Sequence, residues 1–470
     1  MMKIVLIHYH LKTGGVTTVL RQQLEAIHKN FEALVITGTP PKTPFPVDII
    51  HIPQLAYSTT YPHPINPEAV ADAIVAAIHS RFDGPCDVLH VHNPTLAKNR
   101  SFLKVLTALQ RKGLNLLLQI HDFAEDGRPS AYFAEEYPAD CHYCVINDRD
   151  YDVLLRAGLK REGLHRLPNT VNPYSEPRQP VPMKPMVLYP IRAIRRKNIG
   201  EAILLSLFFK NQEFLAVTLP PNSPMDIKSY SAWKSFVKDY HFNVEFDKGL
   251  KDDFTSLMQS ARWLITTSIT EGFGFSFLEP WLFEKVLWGR ELADICQDFE
   301  SNGIRLDHLY PRLNVSLDWI NYHQFFQTWK NCIITVCSLF QVTIDNTRIK
   351  DAFDTITENG SIDFGLLNEV HQKKIITGLI FNRGRFDQMC RLNPFLSDPG
   401  NVSNADKLVK NNKRAIIETY NKDTYRRKLI DMYQKVAQSE VKQRINKAVL
   451  ISTFLNPEQF SLLKWSDYFD

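Results

Sequence analysis

Apolar residues in this chain fall into short β-branched runs that alternate with longer stretches of helical spacing. Lys3–His8 is the first run; Val16–His28 follows, with Val16, Val19, Leu20, Leu24 and Ile27 on one helical face. Ala33–Thr37 reads as a second strand and Pro67–Ser80 as a helix. Strand Asp87–His92, helix Ser101–Arg111, strand Asn115–Ile120, strand Tyr143–Ile146 and helix Asp150–Ala157 continue the alternation. Such spacing predicts a parallel sheet covered by helices on both faces. Ligands of such sheets sit beyond the C-terminal ends of the strands.

Prolines 173, 177, 180, 182 and 185 then mark an extended linker. The alternation restarts with strand Met186–Ile191, helix Ile199–Phe209, strand Phe214–Thr218, helix Ser231–Tyr240, strand Asn243–Phe246, helix Asp252–Ser260 and strand Trp263–Thr267. After about residue 300 the pattern turns helical, over Leu317–Phe340 and Asp345–Ile356, and the next strand-like run is Leu379-Ile380-Phe381. Ala415–Ala437 reads as one long amphipathic helix. The expected organisation is α/β: a Rossmann-like domain over 1–175, and a second over 176–414 with a helical insertion at about 300–410. C-terminal helices over 415–470 are expected to pack back on the first domain.

Composition narrows the classes without naming one. At 470 residues the chain exceeds a single ordinary core, and 44% hydrophobic with 23% charged residues is a usual globular balance. A formal charge of +4 is too small to argue for nucleic acid or an anionic membrane. The opening residues run into histidines rather than a cleavage site, and no run approaches the roughly 20 apolar residues that span a bilayer. Seven dispersed cysteines fit a reducing compartment, so a cytoplasmic location is expected. Cys141 and Cys144 lack the second pair that a zinc site needs.

Three loops carry the candidate chemistry. Between the first strand and its helix, Gly14-Gly15 permits either a plain tight turn or close backbone approach to a phosphate. The loop matches neither a Walker nor a dinucleotide fingerprint. His121 follows an apolar strand and faces the ligand side of the sheet, with His10, His90 and His92 at neighbouring strand ends. Hydrogen bonding suits these histidines better than a metal, since no carboxylate-rich site accompanies them. Arg192 and Lys197 bracket a basic turn after the first strand of the second domain, which is either solvated or aimed at an anion. Finally, Thr270-Glu271-Gly272-Phe273-Gly274-Phe275-Ser276-Phe277-Leu278-Glu279 follows an apolar strand. It places one carboxylate in a loop and another at a helix start, where Ser276-x-x-Glu279 also fits a capping box. The two readings of that helix start are compatible.

Two glutamates eight positions apart, the Gly-Gly loop, His121 and the Arg192/Lys197 pair occur in an order that resembles the retaining GT-B glycosyltransferases of family 4 (group 1). The resemblance covers about residues 1–290 and the helix near 415–437. It implies two doubly wound Rossmann-like domains facing a cleft and transfer of a hexose from a nucleotide-diphosphate sugar to an acceptor hydroxyl. By resemblance, Glu271 holds the sugar, Glu279 the ribose, and His121 the sugar near its 6-hydroxyl. Arg192, Lys197 and the backbone around Gly14, Gly15, Gly272, Phe273 and Gly274 would bind the diphosphate. No metal or other cofactor, no nucleic acid and no transmembrane segment is expected, and the acceptor (metabolite, glycan or lipid-linked carrier) is open. Departures are Asn198 where glycine is usual, Pro280-Trp281 after Glu279, and Arg290-Glu291-Leu292 in place of a glycine-rich loop. They keep a non-catalytic nucleotide-sugar-binding protein or a GT-B phosphorylase as alternatives.

Overall fold

The computed structural model describes residues 1–27, 31–171 and 185–465. Of the proline-rich linker only Pro185 lies within this set, and so does all but His28 of the first expected helix. The chain divides into two compact units, Met1–Thr170 with Tyr420–Leu455, and Val171–Thr419 with Asn456–Asp470.

In the first unit, strands β1 (Met2–His8), β2 (Phe31–Thr37), β3 (Ile49–His51), β4 (Val88–His92), β5 (Leu116–Gln119), β6 (His142–Val145) and β7 (Leu164–Arg166) form one sheet. Its order is β3-β2-β1-β4-β5-β6-β7 and every pairing is parallel. Alternation along β1 sends Val5 and Ile7 to one apolar cluster and Ile4 and Leu6 to the other. Both faces are thus buried, which is why these strands read as continuous apolar runs. Helices α1 (Gly15–Ile27), α2 (Pro67–Phe82), α3 (Phe102–Arg111) and α4 (Asp148–Arg156) cross between strands. Asn66 caps α2 by accepting from the Glu68 and Ala69 N–H groups, and Asn147 caps α4 at Asp150. The strand order reverses between β1 and β4, and that switch point opens beside His8, His10 and His92.

In the second unit, β8 (Met186–Arg192), β9 (Phe214–Leu219), β10 (Val244–Glu245), β11 (Ala261–Thr266) and β12 (Leu287–Gly289) form a parallel sheet of order β10-β9-β8-β11-β12. Helices α5 (Ile199–Ser206), α6 (Pro224–Asp239), α7 (Phe254–Ser260), α8 (Glu279–Leu282) and α9 (Ala293–Glu300) accompany it. Its switch point lies between β8 and β11, the strands that lead into Lys197 and Glu271.

The region beyond 300 is helical but not purely so. A two-stranded antiparallel ribbon, β13 (Asn314–Ser316) with β14 (Ser361–Asp363), brackets α10 (Tyr322–Leu339) and α11 (Asn346–Ile356). Then come α12 (Glu369–Phe381), α13 (Arg383–Leu392) and α14 (Ala405–Thr419). The strand-like Leu379-Ile380-Phe381 is the end of α12: Ile375, Ile376 and Leu379 are buried at helical spacing, whereas Phe381 is 74% exposed. Residues 415–437 are not one helix. Asn421 accepts from the Thr424 N–H and starts α15 (Lys422–Gln438) afresh after α14.

Helices α15 and α16 (Lys447–Phe454) belong to the first unit, where Tyr425, Leu429, Met432, Tyr433 and Val436 complete one face of its sheet. The expectation that all of 415–470 packs on the first domain holds for Tyr420–Leu455 and fails for the end of α14, up to Thr419, and beyond Leu455. The tail joins the second unit: Trp329 Nε1 donates to the Phe460 carbonyl at 3.1 Å, and Phe460 stacks on Trp465 of α17 (Leu462–Trp465). Leu429 is fully buried under the first sheet. Leu429→Ala is therefore expected to lower the unfolding free energy of that unit by about 2–5 kcal/mol in urea titrations.

Candidate functional site

The second unit builds its site by tying the loop after β8 to the loop after β11. Tyr189 Oη donates to the Lys197 carbonyl at 2.7 Å and accepts from the Thr267 N–H at 3.1 Å. Thr267 Oγ1 reaches the carbonyls of Lys197 (3.1 Å) and Asn198 (3.0 Å), and the Ile269 N–H donates to the Arg196 carbonyl at 2.9 Å. This lacing brings Lys197 Nζ into an ion pair with Glu271 Oε1, both side chains largely buried. Burial pushes the Glu271 carboxyl up, but Lys197 and then Arg196 outweigh it and hold the group below its ordinary range. Burial also lowers Lys197, with Glu271 opposing.

Arg192 is placed elsewhere. It ends β8, is exposed, and its Nη1 donates to the Pro220 carbonyl at 2.8 Å. The cation that accompanies Lys197 is Arg196, whose charge acts on both Glu271 and Lys197 and whose buried Nε meets no protein acceptor among the described residues. Its signal in the sequence was its place directly before Lys197.

The glycine loop continues with Gly272 half-buried and Phe273 buried edge-on against Phe299. Gly274 has φ 88°, and a Cβ there would lie 2.9 Å from Ile295 Cγ2, so the backbone itself demands glycine. Glu279 opens the four-residue α8, half-buried, with Pro280 in the first turn where its missing N–H costs nothing. No capping box forms: Leu278 is the N-cap residue without a side-chain bond, and Ser276 Oγ is buried without a partner among the described residues.

Two departures from the family pattern have structural reasons. Asn198 sits at φ 51°, ψ 53°, the left-handed region that asparagine tolerates almost as glycine does. Its side chain donates to Glu201 Oε2 at 2.7 Å and accepts from Gln372 Nε2 at 2.9 Å. Arg290 turns inward and is buried in two forks: Nε and Nη2 to Glu201 at 2.9 and 2.6 Å, Nη1 and Nη2 to Asp363 at 2.7 and 2.8 Å. Tyr310 Oη adds a bond to Glu201 at 2.7 Å. Arg290 is therefore a clamp on the insertion and not an anion contact.

In the first unit, the switch point carries a ladder of imidazoles. His8 Nδ1 lies 3.3 Å from the His92 carbonyl; the His90 and His92 rings stack at 4.4 Å; His92 Nδ1 and His121 Nε2 are 3.0 Å apart. His90 Nδ1 is 2.9 Å from Tyr433 Oη of α15. The buried His92 Nε2 has no partner among the described residues, and an unpaired N–H there would cost more than a bare lone pair. Hydrogen-bond accounting thus puts the His92 proton on Nδ1, donating to His121, and leaves the His121 proton on Nδ1. Burial lowers His8 and His90 to about 3 and His121 to about 4, so His121 is a neutral hydrogen-bonding group. Asn93 Oδ1 fixes its backbone, accepting from the N–H groups of His121 at 2.7 Å and Asp122 at 3.3 Å.

Gly14 and Gly15 lead into α1, where Thr18 Oγ1 and N–H both bond the Gly14 carbonyl. A Cβ would meet only the Lys12 carbonyl at 3.9 Å above Gly14 and nothing within 4 Å above Gly15. Cys141 and Cys144 are buried free thiols. Among the described residues no group of three or more His, Cys, Asp or Glu is arranged to hold a metal ion, and no helix is long and apolar enough to cross a membrane.

Two parallel α/β units in one chain, each with its switch point at a loop of polar residues, are the parts of which a GT-B fold is built. No protein-family model matches the chain. Among curated proteins it is similar to the mannosylglucosyl-3-phosphoglycerate synthase of Petrotoga mobilis, 28% identical over 359 residues that span 66% of this chain and 68% of that one. Among solved structures it is similar in fold to the sucrose-phosphate synthase of Thermosynechococcus elongatus (TM-score 0.53, 15% identity, 92% of this chain and 98% of that one). It is likewise similar to Anabaena HepE in complex with UDP-glucose (TM-score 0.52, 12% identity, 92% and 100% covered).

The buried neutral histidines bind protons better when unfolded, near pH 6.5, than when folded. Stability of the first unit is thus full above that pH and lost as pH falls toward the folded values, by about 1.4 kcal/mol per pH unit for each histidine. Urea midpoints of that unit measured from pH 7 to 5 are expected to fall steeply, and a flat profile would contradict the burial. Arg290→Met leaves Glu201 and Asp363 buried without their counter-charge, and should destabilise the second unit by about 3–5 kcal/mol in the same assay.

Proposed function

We propose that this chain is a retaining glycosyltransferase that moves a hexose from a nucleotide-diphosphate sugar to an acceptor hydroxyl. The observation that carries the reading is the buried Lys197–Glu271 pair at the β8/β11 switch point, joined by Arg196. Two cations against one carboxylate leave a positive charge where a diphosphate leaving group develops negative charge. The carboxylate is ionised and suited to accept from sugar hydroxyls. The name of the Petrotoga relative and the UDP-glucose bound to HepE support a nucleotide-activated hexose as donor.

In this reading the sugar C1–O bond to the diphosphate breaks as the acceptor oxygen bonds to C1 on the same face. The acceptor proton passes to a phosphate oxygen, so no side-chain nucleophile is used. Lys197 and Arg196 stabilise the departing diphosphate by fixed charge, with no metal required. Glu271 orients the sugar, Glu279 holds the ribose, and His121 offers its Nδ1–H to a sugar hydroxyl. The backbone at Gly14-Gly15 and at Gly272-Phe273-Gly274 approaches the phosphates. Arg192, turned to Pro220, is left a peripheral part. The non-catalytic alternative drew on Asn198 and Arg290, and both residues have structural work that leaves the Lys197–Glu271 pair intact.

The test is turnover of UDP-glucose and other nucleotide hexoses by the purified chain, read as nucleotide release with and without small acceptors. Glu271→Gln and Lys197→Met are each expected to cut turnover by about 10²–10³-fold, measured well below the thermal unfolding midpoint, which should fall because each change leaves a largely buried charge without its partner. Nucleotide-sugar binding without turnover on any donor would sink the reading.

A further inference from the structure

Beside His121, four loops of the first unit converge on a second polar cluster that the transfer chemistry does not use. Tyr57, after β3, lies with its Oη 3.2 Å from His10 Nε2, after β1. Lys98, after β4, has its Nζ 6.0 Å from the centre of the Tyr57 ring, and the Lys98 carbonyl accepts from the Ser58 N–H at 2.7 Å. Arg128, in the loop after β5, bonds Asp122 Oδ1 at 2.9 Å. Asp122 adjoins His121, and both backbone N–H groups share the Asn93 carboxamide.

The charges here do not balance. Lys98 is half-buried and has no carboxylate within ion-pair distance among the described residues, whereas Asp122 is already paired with Arg128. The next acidic groups are committed as well: Glu125 is buried and accepts from Tyr137 Oη at 2.8 Å, and Asp126 faces Arg149 at 3.4 Å. Burial and the charge of Arg128 lower the Lys98 ammonium, against Asp122. A partly dehydrated ammonium next to a guanidinium, with Asp122 engaged by Arg128, is unfavourable until something supplies a negative charge. The strand ends that surround it are the ligand-facing edge of the sheet.

We infer that Lys98, with Arg128 and Tyr57, binds an anionic group of the acceptor, a phosphate or a carboxylate, so that the molecule receiving the sugar is a small anion. A neutral glycan would leave Lys98 uncompensated. The inference rests on the transferase reading for the word acceptor, but the anion site itself is a property of the first unit.

Three probes on one carbon skeleton test it: sn-glycerol 3-phosphate, glycerate and glycerol, titrated calorimetrically into the full chain with and without saturating UDP. The phosphate or the carboxylate probe, or both, should bind with UDP present, and glycerol should not. The phosphate and carboxylate arms say which anion is meant. Lys98→Met should weaken the anion at least about tenfold, equivalent to about 1.4 kcal/mol, and leave UDP affinity within about twofold. Raising sodium chloride to about 0.5 M should weaken the anion in the unaltered chain, which needs no variant to fold. Equal binding of all three probes, no binding of either anion, an unaltered anion affinity in Lys98→Met, or displacement of the anion by UDP would each overturn the inference. Failure of UDP to bind while the anion does would count against the transferase reading alone.

Discussion

A lysine and a glutamate buried side by side are costly unless the surrounding polar groups hold them in register, and the second unit is organised around meeting that condition. Tyr189 and Thr267 fix the backbone of Lys197 from below. Asn198 continues the chain of bonds to Glu201 and Gln372; Glu201 passes it to Tyr310 and Arg290, and Arg290 to Asp363. The insertion beyond residue 300 therefore supplies Tyr310, Asp363 and Gln372 to a network whose other end is the Lys197–Glu271 pair. Its position in the unit is set by full-strength, charge-assisted bonds to α5, which gives an otherwise unplaced region a defined physical role.

The first unit meets a different condition with different means. Its strand ends carry imidazoles in a space too apolar for imidazolium, so the ladder is held by stacking and neutral hydrogen bonds. Tyr433 anchors it from α15, a helix contributed by the chain some 340 residues later, at the cost of no charge. A neutral His121 with a fixed tautomer is a directional donor across the physiological range, which a freely titrating histidine is not.

The alternation of strands and helices was legible because strands buried on both faces are continuous apolar runs. The three-residue strands Ile49–His51, Leu164–Arg166, Leu287–Gly289, Asn314–Ser316 and Ser361–Asp363 were not, since so short a run has no period to read. Helix α6 starts about two turns earlier than its apolar spacing suggests, at Pro224 behind the Ser223 cap, a signal that was present in the letters. The break between α14 and α15 likewise rests on Asn421, one polar residue inside a periodic stretch. At the site, the pairing of Glu271 with Lys197 was within reach of spacing, because both follow neighbouring strands. The outward turn of Arg192 and the inward turn of Arg290 were not: each depends on whether a strand runs one residue further and on what lies beneath it.

Glycines separate the two kinds of constraint most clearly. At Gly274 the folded chain itself excludes a side chain, with Ile295 in the way and φ in the left-handed region. That glycine would be needed with or without a ligand. At Gly14 and Gly15 the backbone is ordinary and the space above is open. Neither conformation nor packing there requires glycine; Gly14 stands just before α1, where glycine is a usual cap, and Gly15 costs helix stability in its first turn. Open space kept clear at a helix N-terminus, beyond the switch point of a parallel sheet, is what close approach of an anionic ligand to the backbone requires.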